Sequence, residues 1–154
     1  MKKEELQYIY DNMDILYDLV MTGAENIGRE HTLGGEKMNM IMAHTLTAIA
    51  ANPGIRVGDV AKMWDHTRGA ASRNVDRLRR LGLITKEKSE ENKKEVYLYP
   101  TEKGKRLACE HEEKDRESIA ASVSRLLEKH DFARIKTTLR VMDTLREIFR
   151  EENL

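Results

Sequence analysis

The stretch TRGAASRNVDRLRRLGLI, Thr67 to Ile84, constrains this chain more than any other. Thr67 is a good N-cap, because its hydroxyl can accept a bond from a free backbone N–H. Gly82 stands where a helix needs a left-handed C′ residue. Between them, Ala71, Val75 and Leu78 recur at helical spacing and predict one buried stripe. The opening turns hold Gly69, Ala70, Ala71 and Ser72, which give too little bulk to build a core. Arginines then follow. A helix that enters a DNA major groove, about 12 Å wide, needs that order. Small residues let the backbone approach the bases, and arginines then grip bases or phosphates. Thr67, Arg68, Gly69, Ala70, Ser72, Arg73 and Arg77 are therefore the candidate DNA-binding residues on this helix.

The flanking sequence supplies a scaffold for such a helix. Apolar residues at Leu6, Ile9, Tyr10, Met13, Leu16, Tyr17, Val20 and Ile27 predict one amphipathic helix over about 4–27. Gly34-Gly35 punctuates the chain, and a second helix is expected from about Glu36 to Ala51, stopped by Asn52-Pro53-Gly54. A short helix follows over 57–64, with Val60, Ala61 and Trp64 on one side. After Gly82, the β-formers of LITKEK and EVYLYPT flank a polar SEENKK and predict a two-stranded hairpin. Thr101-Glu102 opens a long helix to about Glu128, and Asp131 caps a last one. The expected fold is mainly α: a winged helix-turn-helix over 36–114, with dimerisation helices over 1–35 and 115–154.

Whole-chain charge is zero, so the basic character has to be read locally. From Arg56 to Lys94, eleven basic residues against six acidic ones leave +5. Lys93 and Lys94 of the polar turn join the candidate DNA contacts as phosphate binders. The single cysteine, Cys109, cannot form an internal disulfide and points to a reducing, cytoplasmic setting. No signal-like leader and no apolar run near ~18 residues are present, so no membrane partner is expected.

The segments NPGIRVGDVAKMWDHTRGAASRNVDRLRRLGLITKEK and SEENKKEVYLYPTEKGKRL resemble the MarR family of transcription regulators. The most typical pieces are Asp76-Arg77-Leu78, Gly82-Leu83-Ile84 and Thr101-Glu102-Lys103-Gly104. The resemblance implies a homodimer that binds a pseudo-palindromic operator in double-stranded DNA, most often as an effector-responsive repressor. It implies dimer contacts through Leu6, Ile9, Met13, Leu16, Ile135, Leu139, Met142, Leu145 and Ile148. Two departures stand out. Arg56 occupies the place where the family usually caps its scaffold helix with Ser or Thr. Asn92 and Lys94 replace the usual wing Asp and Arg, which removes a carboxylate and the forked guanidinium.

No nucleophile motif, phosphate loop or HExxH occurs, so an enzyme is not expected, and the reading requires no cofactor. Cys109 has Glu110 and Glu112 beside it, which argues against a low-pKa reactive thiol. The histidines carry more. In zinc-responsive members of the family, histidines at the places of His44 and His111 bind the metal. By that resemblance His44, His111, Asp115 and one of Glu25 or Glu30 form a candidate zinc site. Met38 to Met42 and the apolar residues of the first helix serve either as dimer core or as the lining of a small-molecule effector pocket. The remaining alternative is a nucleic-acid-binding protein without sequence preference.

Overall fold

The computed structural model describes residues 2–64, 67–88 and 95–152. The elements run α1 (Lys3–Asp11), α2 (Met13–Gly28), β1 (Glu30–Leu33), β2 (Glu36–Asn39), α3 (Met40–Ala51), β3 (Ile55–Arg56), α4 (Val57–Met63), α5 (Arg68–Arg80), β4 (Ile84–Lys88), β5 (Val96–Pro100), α6 (Glu102–Leu127) and α7 (Phe132–Glu152). The chain forms two compact units, Met1–Glu112 and Glu113–Leu154. No helix among the described residues is long and apolar enough to cross a membrane.

The first unit is a winged helix-turn-helix preceded by two helices and a hairpin. Its core gathers Leu46, Ile49, Val75, Leu78, Leu83 and Leu98, all fully buried. The stripe expected of α5 is present, with Ala71, Val75 and Leu78 buried together. Thr67 caps α5 by accepting a bond from the Ala70 amide at 3.2 Å. Gly82 ends it with φ +69°, a conformation that costs glycine little. Strands β4 and β5 pair antiparallel from Ile84↔Pro100 to Lys88↔Val96. The expected wing is therefore present, but β3 adds a third strand, paired with β5 through Ile55↔Leu98 and Arg56↔Tyr97. Two residues are too short a run to announce a strand.

The TEKG segment works as a joint. The Thr101 hydroxyl donates to the Gly82 carbonyl at 2.8 Å and accepts from the Gly104 amide at 3.0 Å. It thus caps α6 while holding the end of α5. A Cβ on Gly104 would stand 2.0 Å from the Leu83 carbonyl oxygen, so only glycine lets α6 start this close.

Three expectations need correction. The first helix is two helices: Asn12 bonds back to the Tyr8 carbonyl through its side chain and leaves the helical ladder. The second helix does not begin at Glu36. Asn39 caps it by accepting from the Met42 amide, and Glu36–Asn39 is a strand. That strand pairs with β1 across Gly34-Gly35, whose φ values of +53° and +84° suit a two-residue hairpin turn. Met38 and Met42 are 1% exposed in the winged core, so they are neither dimer surface nor lining of an open pocket.

In the second unit α7 is capped as expected, with Asp131 accepting from the Arg134 amide. None of its residues is buried, and Leu139, Met142, Ile148 and Phe149 are exposed.

Candidate nucleic-acid interface

Helix α5 keeps its lead-in open. Thr67, Arg68 and Gly69 are exposed, and Ala70 and Ser72 are half-buried. Among the described residues, a Cβ built on Gly69 would meet only the Thr67 hydroxyl, at 3.9 Å. The small residues therefore leave the outward side of the helix bare. Arg68 and Arg73 are exposed and make no ion pair among the described residues. Their charge is available to a ligand.

Beside this helix lies a cleft of about 720 Å³, lined by α4, α5 and the wing strands. Arg56, Lys62, Arg68 and Lys86 bring positive charge to it, and Asp59 and Glu95 bring negative charge. The Arg56 guanidinium bonds Asp59 at 3.0 Å and lies 3.7 Å from Glu95. That hydrogen bond pulls the Asp59 carboxyl below the usual range and raises Arg56 further. Arg56 therefore does not cap α4 with its side chain but braces its first turn through Asp59. Lys86 on β4 bonds Asp76 on α5 at 2.7 Å. The bonded ammonium holds the Asp76 carboxyl low, with help from the charges of Arg79 and Arg80. The wing is thus pinned to the recognition helix.

Arg77 sits differently from Arg68 and Arg73. Its Nη2 bonds the Glu30 carboxylate and, at 3.1 Å, the Lys37 carbonyl. Both partners belong to the β1–β2 hairpin, whose existence the sequence did not announce. Lys93, Lys94 and Asn92 lie outside the described residues. Lys62, Lys86 and Asp59 were absent from the sequence-derived site. The local excess of basic residues contained the two lysines but could not orient them.

A second constellation is built on two histidines of the first unit. The rings of His44 on α3 and His111 on α6 meet edge to face, centroids 4.7 Å apart. Each offers a ligand nitrogen within 4.8 Å of the other's. His111 is 8% exposed, and Trp64, at the end of α4, stands 5.7 Å from the His44 ring. Asp115 follows His111 by four residues on the same helix, hence one turn along one face. Glu30 is not part of this group: its carboxylate is held by Arg77. Glu25 is exposed near the end of α2 and is not grouped with the histidines either.

The apolar residues expected at a dimer surface differ in exposure. Leu6, Ile9, Leu139, Met142 and Ile148 are exposed, and Met13, Leu16, Ile135 and Leu145 are half-buried.

Comparison with known proteins follows the same lines. The profile of the MarR family matches residues 38–95. The uncharacterized HTH-type transcriptional regulator YybA of Bacillus subtilis (strain 168) is 42% identical over 62 residues. That alignment spans 40% of this chain and 41% of the relative's own length. Among solved structures, ZitR of Lactococcus lactis, a zinc-responsive MarR family member, matches with a TM-score of 0.67. It is 21% identical, over 92% of this chain and 99% of that one. FabT of Streptococcus pneumoniae, in complex with DNA, matches with a TM-score of 0.65 and 19% identity, over 95% and 98% of the two chains. These structures share the fold. The winged segment is thus similar in sequence to the MarR family, and the chain as a whole shares the fold of these solved structures.

Proposed function

We propose that this chain is a DNA-binding transcriptional repressor. It acts as a homodimer on a pseudo-palindromic operator, reads the major groove with α5, and releases DNA in response to an effector. The observation that carries the reading is the outward side of α5: a bare Gly69-Ala70-Ser72 lead-in beside Arg68 and Arg73, which make no ion pair among the described residues. The buried Ala71-Val75-Leu78 stripe fixes that side outward. Arg73, one turn after the small residues, is placed to bond a base, and Arg68 to grip phosphate. The Asp76–Lys86 bond keeps the wing beside the same groove, where Lys93 and Lys94 would add phosphate contacts.

Two copies suit the apolar residues of α1, α2 and α7, which a single chain leaves in water. Selection from random duplexes followed by sedimentation tests both parts. A two-fold symmetric site bound by a dimer supports the reading. A monomer at micromolar concentration, or no enriched duplex, sinks it.

The proximity of His44 and His111 favours zinc as the effector. Two imidazoles plus the Asp115 carboxylate are a fitting donor set, leaving a fourth position for water or another residue. Bound metal would fasten α3 to α6 and so bias where α5 lies, which is the differential contact that an effector needs. ZitR, whose fold this chain shares, is zinc-responsive, and that likeness supports the same reading here.

A further inference from the structure

We propose that Arg77 is a positioning residue: through Glu30 it latches the recognition helix to the β1–β2 hairpin, and it is not a DNA contact. The inference rests on the reading of α5 as the groove helix. Arg77 lies in the third turn of α5, one turn beyond Arg73 and on the same side. Its guanidinium is nevertheless taken by both strands of the hairpin, by the Glu30 carboxylate on β1 and the Lys37 carbonyl on β2. A second link closes the frame. Lys103, in the first turn of α6, bonds Glu36 of β2 at 2.6 Å and the Leu81 carbonyl at the end of α5 at 3.2 Å.

The hairpin is firm enough to serve as an anchor. Leu33 and Met38 are buried in the core beneath it. A Cβ on Gly34 would meet Leu107 at 2.8 Å, so its turn is seated against α6. The hairpin also follows α2 directly, through Arg29. The latch thus links the segment after α2 to the C-terminal half of α5.

The Arg77–Glu30 side chains are 38% and 47% exposed, so the pair adds little to stability. Its effect is on orientation, and variants that lack it should fold. Glutamine at position 77 is neutral and shorter than arginine, so it has neither the charge nor the reach to hold both acceptors.

The experiment compares wild type, Glu30→Gln, Arg77→Gln and the double variant, all as full-length protein. In DNA-free protein, amide exchange over 76–81 and in the hairpin should speed up in both single variants, more in Arg77→Gln because Glu30→Gln keeps the Lys37 carbonyl bond, with unchanged melting temperature. On the selected duplex each single variant should bind about three- to tenfold more weakly. The double variant should be no worse than Arg77→Gln alone, and the salt slope should stay at its wild-type value. Arg77→Gln weakening binding and flattening the slope by about one, while Glu30→Gln binds as well as wild type or better, would make Arg77 a phosphate contact and overturn the latch. Unchanged amide exchange in Glu30→Gln would overturn it as well. If wild type prefers no duplex, the groove reading fails, and the exchange data still judge the latch.

Discussion

His44 and His111 approach edge to face at 4.7 Å, and Trp64 stands 5.7 Å from His44 on the opposite link of the same chain of rings. Trp64 is the C-cap of α4, three positions before Thr67, the N-cap of α5. The histidine pair is therefore one side chain away from the C-terminal end of α4. Trp64 is also the only tryptophan of the chain. Added zinc should change its emission and, over the same concentration range, operator affinity. His44→Ala with His111→Ala should abolish both changes. Emission and affinity that ignore zinc would remove the metal from the account and leave the two rings as packing.

Arg73→Ala should weaken binding to the selected operator by roughly 1–3 kcal/mol and relax the preference at one base position. Lys93→Ala with Lys94→Ala should instead weaken binding to every duplex and lower the salt slope by about two. Titrations at several salt concentrations on matched and mismatched duplexes separate the two behaviours.

Two glycines should respond in opposite ways. Gly104→Ala places a Cβ 2.0 Å from a backbone oxygen, and α6 must move away from Leu83. A loss on the order of 1–3 kcal/mol or more is expected in urea denaturation. Gly69→Ala makes only an ordinary contact with the Thr67 hydroxyl among the described residues, so stability should be unchanged or raised by up to roughly 0.5 kcal/mol. Operator affinity should nevertheless fall, because the added methyl keeps α5 off the bases. Equal affinity for Gly69→Ala would show that the backbone does not approach that closely.

The Asp76–Lys86 bond predicts a weak acid dependence. Its carboxyl titrates lower in the folded chain than in the unfolded one. The stabilisation is therefore complete above the unfolded value, near pH 4, and is lost as pH falls through the folded value. The Asp76 side chain is 47% exposed, which limits the contribution to about 1 kcal/mol or less. Asp76→Asn should be slightly less stable than wild type at pH 7, and the gap should close below the folded value. A gap that persists there would assign the effect to packing.

The winged domain was legible because several of its signals coincide. Thr67, the Ala71-Val75-Leu78 stripe and Gly82 delimit one helix, and Thr101 marks the next. The His44–His111 pairing was reached through resemblance, since no sequence spacing joins residues on two helices. The β1–β2 hairpin escaped notice because EHTL and EKMN are polar and short, with only Leu33 and Met38 facing inward. Without the hairpin, Arg77 reads as a further basic residue on an open helix side. Its true partners are forty and forty-seven positions away. Tertiary pairing at that separation leaves no local trace.

The central claim is that α5 reads the major groove of a specific duplex. The most direct measurement is the affinity of wild type and Arg73→Ala for the selected operator and for a scrambled duplex, across a salt series. The account predicts that wild type prefers the operator, that Arg73→Ala loses about ten- to a hundredfold on it, and that the variant loses far less on the scrambled duplex. Equal affinity of Arg73→Ala and wild type for the operator, or equal losses on both duplexes, would contradict it.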